Sequence, residues 1–138
     1  MTIPADAISA TLSFSVYPIS GESVATRPSR VLGQEMDAGM PSPLGAAAGD
    51  TQYALIIPQT GSTLTPRTLF WGLSNAQAWQ PYTFDLTSYA GQTFLLHLGV
   101  YNDGAGGQTG MYVDGASLVV KRAGAEAHRL YLPLIFKD

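Results

Sequence analysis

Residues 93–101 constrain this chain more than any other stretch, because apolar side chains recur there at every second position over a full strand length. Phe94, Leu96, Leu98 and Val100 fall on one face, with Leu95, His97, Gly99 and Tyr101 on the other. An extended strand satisfies a period of two and a helix cannot. A glycine-rich turn follows at 102–110. Residues 111–120 then resume as an apolar run that reads as the partner strand, with a bulge expected at Gly115.

The same alternation recurs upstream. Within residues 10–20, Leu12, Phe14 and Val16 alternate with Thr11, Ser13 and Ser15. Pro18 has no N–H for a ladder, so this strand should end, bulge or lie at an edge there. Residues 52–58 carry Tyr53, Ala54, Leu55, Ile56 and Ile57 in succession, the pattern of a central strand covered on both faces. Further strands are expected at 68–72 and 79–86, the second with Tyr82 and Phe84 inward. Residues 85–91 read as a short helical turn, capped by Asp85 and stopped by Gly91 in a left-handed conformation. Residues 21–50 are rich in Gly, Pro, Ser and Ala and read as a long loop holding a short strand at 30–33.

Seven or eight short strands with little helix predict an all-β, antiparallel β-sandwich. Residues 1–121 are expected to form it, residues 122–129 a polar spacer, and residues 130–138 an apolar C-terminal strand. That strand, with Leu130, Tyr131, Leu132, Leu134, Ile135 and Phe136, is too apolar to stand in water and must complete this sheet or a neighbour's.

Composition limits the function. Charged residues are 12% of the 138-residue chain, about half the usual share, and the hydrophobic fraction is an ordinary 46%. The surface must therefore rest on Thr, Ser, Gln, Gly and Ala. The only lysines are Lys121 and Lys137, and a net charge of −3 offers no field for a phosphate backbone, so nucleic acid is not an expected partner. There is no cysteine, hence no disulfide framework or thiolate metal site. No run has the roughly 20 apolar residues that span a bilayer, and residues 1–20 lack a charged region followed by an apolar one.

Catalytic patterns are missing. The histidines, His97 in mid-strand and His128 in the spacer, sit in no nucleophile or metal motif, and the glycines at 104, 106, 107 and 110 join two strands instead of opening a helix. Two kinds of site remain. Asn102, Asp103 and Asp114 flank an oxygen-rich turn of the kind that can hold calcium, although Asn-Asp-Gly is also ordinary turn chemistry. Trp71, Trp79, Tyr82, Tyr101 and Tyr112 could offer ring faces to a sugar, although a sandwich of this size also needs large residues in its core.

Three runs together resemble a known family. These are Trp79-x-x-Tyr82-x-Phe84-Asp85-Leu86-Thr87-x-Tyr89-Ala90-Gly91-Gln92-Thr93, then Leu96-x-Leu98-Gly99-Val100-Tyr101-Asn102-Asp103, then Met111-Tyr112-Val113-Asp114-Gly115-Ala116-Ser117-Leu118-Val119-Val120. They are similar to the jelly-roll accessory modules of secreted bacterial proteins, the MAM-like and galactose-binding-like domains attached to extracellular hydrolases and adhesins. The resemblance takes in most of residues 8–120. It implies a jelly-roll sandwich, an extracellular or cell-surface location, a structural calcium with Asp114 as the best-matched position, and in some members carbohydrate binding. This chain has Val113-Asp114-Gly115 where the family usually has Val-Asp-Asp, which removes a second carboxylate. It also begins almost at the strand of residues 10–20, where the family usually has a further strand or two.

An absent edge strand would leave a groove, and residues 130–136 would be a strand to fill it, in this domain or in a second copy. The ending also looks like the Tyr-Leu-Pro-Leu tails of some secreted bacterial proteins. The expectation is a non-catalytic structural or adhesive extracellular module. It would assemble through its C-terminal strand with itself, as an oligomer or filament, or with a host surface protein. The alternative is a carbohydrate-binding module that uses exposed aromatics on a polysaccharide.

Overall fold

The alternation at the start of the chain produces one of the two longest strands. In the computed structural model, which describes residues 1–22, 30–31, 49–59, 66–124 and 128–132, β1 (Ala7–Ser20) buries Ala10, Leu12, Phe14 and Val16 at every second position. It is followed by β2 (Arg30–Val31), β3 (Thr51–Pro58), β4 (Arg67–Gly72) and β5 (Gln80–Asp85). A 3-10 turn (Thr87–Tyr89) leads to β6 (Phe94–Tyr101), β7 (Thr109–Arg122) and β8 (His128–Tyr131). Hydrogen bonding sorts the strands into two antiparallel sheets, β5-β1-β7-β8 and β2-β4-β3-β6. The protein is an all-β sandwich. The pairing is nested, β1 with β7 and β3 with β6 inside it, as a jelly roll requires.

The core is aromatic where the sheets meet. Phe14 on β1 lies 5.6 Å from Phe84 and 6.1 Å from Phe70 of the opposite sheet, and Tyr82 stacks on Phe70 at 4.6 Å. Leu12, Ile56, Leu69, Phe94 and Leu118 are buried around them. Each such side chain contributes about 1.5–3 kcal/mol through burial.

One polar side chain joins the two sheets. Gln52 on β3 is buried, and its Nε2 donates to the carbonyls of Gly110 (2.9 Å), Ser74 (3.0 Å) and, more weakly, Ile19 (3.3 Å). Its Oε1 accepts from the Ser74 N–H at 2.9 Å. Residues from β1, β7 and the β4–β5 connection are thereby tied to the second sheet.

Several local expectations hold. Asp85 Oδ1 accepts from the Thr87 N–H at the start of the 3-10 turn, and Gly91 adopts φ +80° after it. The Thr87 hydroxyl, which also donates to Asp85 Oδ1, and then the Thr87 N–H hold the Asp85 carboxyl below the usual carboxylate range. Gly115 has φ +64° and sits at the break in β1–β7 register, the expected bulge.

Other expectations are corrected. Residues 94–101 and 111–120 are not hairpin partners: β6 pairs with β3 and β7 with β1, so the seven residues between them cross from one sheet to the other. A connection of that length spans the sandwich more readily than it folds a tight hairpin. Pro18 neither ends β1 nor marks an edge. Its missing N–H faces the side where β5 has already stopped, and its carbonyl accepts from the Gln77 N–H at 3.2 Å.

No groove lies beside β1, which has β5 and β7 on its two sides. Instead residues 1–3 add to the second sheet. Met1 N donates to the Phe94 carbonyl at 2.6 Å, Phe94 N returns to the Met1 carbonyl at 2.9 Å, and Ile3 is fully buried. At the start of β1, Asp6 takes a two-pronged contact from the Arg122 guanidinium at the end of β7, which holds its carboxyl below the usual range.

The C-terminal strand returns to its own domain. β8 pairs with β7 from Ser117↔Tyr131 to Val120↔His128, and Leu132 packs on the core while its N–H donates to the Ala116 carbonyl. β8 starts at His128, inside the stretch expected to be a spacer. Leu134, Ile135 and Phe136 lie outside the described residues, as does most of the 21–50 loop apart from β2.

Replacing Gln52 with Met keeps the volume and removes four hydrogen bonds from a buried side chain to partly buried backbone groups. Urea unfolding should show a loss of about 3 kcal/mol with an unchanged m value.

Candidate functional site

The outward residues of β1 place one aromatic among small hydroxyls. Tyr17 follows Val16 and so points away from the core, and its Cα partner across the β1–β7 ladder is Tyr112. On the other side Gln80 is opposite Val16, which puts Trp79 next to Tyr17. The three rings form a row across β5, β1 and β7, with Tyr17 at 5.6 Å from Trp79 and 6.3 Å from Tyr112, both edge to face. Trp79 is 52% exposed and Tyr112 61%. Cross-strand aromatic pairs stabilise a sheet, yet these leave more than half of two large rings in water.

The rows beside it are polar and small. Pro81, Ser15 and Asp114 come next, then Thr83, Ser13 and Ser117, with Ser13 Oγ and Ser117 Oγ 3.0 Å apart. Asp114 is the one charged side chain in these three rows, and Lys121 and Arg122 lie at the opposite end of β7. The face therefore offers ring surfaces and hydroxyls with little electrostatic field.

The residues expected to form a platform do not come together. Trp79 and Tyr112 do, joined by Tyr17, which the sequence reading missed although the inward phase of Leu12, Phe14 and Val16 puts it outside. Tyr82 points into the core against Phe70 and Phe14, as its inward phase on β5 requires. Trp71 and Tyr101 belong to the second sheet. There Trp71 is opposite Tyr53, its Nε1 is buried without an acceptor among the described residues, and Tyr101 is 39% exposed.

Tyr53 lies flat against His97, with centroids 5.6 Å apart, planes 4° apart, and Oη 3.3 Å from Nε2. It crosses Gly99, where an added Cβ would stand 2.6 Å from the Tyr53 hydroxyl. His97 is thus a sheet-face residue held by a phenol.

The expected calcium ligands separate in the same way. Asn102 closes the β6–β7 loop, with Oδ1 accepting from the Thr109 N–H at 2.8 Å and Nδ2 donating to the Thr109 carbonyl at 3.2 Å. Asp114 is five residues further along β7, roughly 16 Å of strand. It is exposed beside the aromatic row, with Oδ1 taking the adjacent Gly115 N–H. Asp103 stays in the loop beside Asn102, with its Oδ1 accepting from the Ala105 N–H at 2.8 Å.

It is joined there by two acids that the sequence reading did not single out, Glu22 and Asp50. One carboxylate oxygen from each of the three lies within 4.8 Å of the others. Asp50 is fully buried and accepts from the Asp103 N–H at 2.8 Å. This is donor chemistry suited to a hard cation.

Comparison of the chain with protein-family models, curated proteins and solved structures gives no match. The likeness to jelly-roll accessory modules rests on the residues quoted above.

Burial raises the Tyr53 phenol above its ordinary value. The folded state favours the neutral ring, so its contribution to stability is intact below about pH 10 and is lost as pH climbs through the raised value. An absorbance titration of the folded protein should show a late tyrosine phase above about pH 10. Tyr53→Phe should remove that late phase.

Proposed function

We propose that this protein is a non-catalytic extracellular module that binds a neutral polysaccharide along the row Trp79, Tyr17 and Tyr112. The observation that carries the proposal is the exposure of two large rings, linked by a third, on an otherwise small and hydroxyl-rich sheet face. Sugar rings present flat C–H surfaces that pack on aromatic faces, and their hydroxyls find partners in the Ser and Thr rows beside them. A polymer with many anionic groups would meet Asp114 and no cation in these rows. Assembly through the C-terminal strand is the second reading. It needs a free strand, whereas residues 128–131 are already paired with β7.

Affinity electrophoresis against neutral glucans, xylan and galactomannan, with pectate and alginate as anionic controls, tests the proposal. At least one neutral polymer should retard the protein. Trp79→Ala and Tyr112→Ala should each weaken that binding by roughly five- to tenfold, about 1 kcal/mol, while the melting temperature falls by no more than about 5 °C through the lost ring pair. No retardation by any neutral polymer, or full retardation of the double variant, sinks the reading.

A further inference from the structure

The four outer edges of the two sheets are not equally protected. β2 and β8 are two and four residues long, and short edge strands template little pairing. On β5 the Leu86 N–H bonds to the Ala10 carbonyl, so residues at even positions face β1 and Pro81 faces outward, where its missing N–H blocks a ladder. β6 has no such device. It is eight residues long, Phe-Leu-Leu-His-Leu-Gly-Val-Tyr, with no proline and no Asp, Glu, Lys or Arg.

The direction of its free groups follows from the register. Gln59 N donates to the Thr93 carbonyl, so Leu95, His97, Gly99 and Tyr101 turn their backbone groups toward β3. Phe94, Leu96, Leu98 and Val100 turn theirs to the open edge. Residues 1–3 already occupy this edge as a strand at Gln92 and Phe94, which shows that it accepts one. Among the described residues nothing pairs with it beyond Phe94.

We propose that the edge of β6 from Leu96 to Val100 is a docking site for the β6 strand of a second copy of this chain. The copies would lie antiparallel about a two-fold axis at Leu98. The choice of a second copy rests on self-complementarity. Leu95 is 51% exposed, it and the exposed Tyr101 each stand three positions from Leu98 on the same face, and the two-fold sets each against the other across the interface. Leu96 is then opposite Val100 on the core side. His97 is opposite Gly99, over which the Tyr53 ring of its own copy already lies. Such an interface closes on itself and yields a dimer of two four-stranded sheets joined into one, not a filament.

The test uses the full chain without an N-terminal tag. Sedimentation equilibrium should show a concentration-dependent mass rising from monomer to dimer, with slowed amide exchange at Leu96, Leu98 and Val100 in the dimer. Val100→Pro removes an N–H that no strand among the described residues uses and should leave a monomer.

Register is read with cysteines, on a background that has none. Leu95→Cys mixed with Tyr101→Cys should give a disulfide-linked pair on oxidation. Either variant alone should not, because its own copies would lie roughly 20 Å apart along the strands. If Val100→Pro unfolds the protein, the cysteine pair decides. A monomer at every concentration, a dimer that the mixed cysteines fail to link, or a monomer whose three amides are already protected by another segment overturns the proposal.

Discussion

The loop end of the sandwich depends on the side chain of Gln52. Two sheets packed only through apolar contacts can slide, since the hydrophobic effect has no direction. A buried amide that must satisfy both its N–H groups and its carbonyl fixes the distance and angle between β3 and the ends of β1 and β7. The same contact seats the Ser74 backbone, from which the chain turns to present Trp79. The aromatic row on one sheet is therefore positioned by a residue rooted in the other. Asp50, two residues before Gln52, holds the backbone of Asp103, so the β6–β7 crossing is anchored from the same strand.

Much of this was legible from alternation alone. The inward sets on β1 and β5, the central placement of β3, the 3-10 turn between Asp85 and Gly91 and the bulge at Gly115 all follow from period, proline chemistry and glycine conformation. What escaped was long-range pairing. Nothing local in residues 94–120 says whether a seven-residue loop returns beside its own strand or crosses to the other sheet, since both arrangements bury the same side chains. That choice moved Asp114 away from Asp103 and brought Asp50 and Glu22 in. Tyr17 was readable in principle, because its phase relative to Val16 settles which way it points. Its alignment with Tyr112 and Trp79 required the register of three strands separated by up to about ninety residues.

The two sheets divide the molecule's surface chemistry. Around its row of rings the outer face of β5-β1-β7 is small and hydroxylated, with Asp114 the one charge in the three rows from Tyr17 to Ser13. A surface of that kind releases no counterions on binding, so recognition there should be nearly indifferent to ionic strength. Among the described residues the second sheet has its open hydrogen-bonding groups in the plane, along the β6 backbone. The proposed ligand face and the proposed docking edge thus lie on different sheets.

The placement of Met1 has a practical consequence. Its amino group is hydrogen-bonded in register with Phe94, so a peptide fused ahead of it is delivered to the edge of β6, running antiparallel beside Leu96, Leu98 and Val100. An N-terminal affinity tag is then a tethered competitor at high effective concentration, able to fill the edge in cis and mask whatever pairs there in trans. The behaviour of this protein in solution will depend on which end carries the handle.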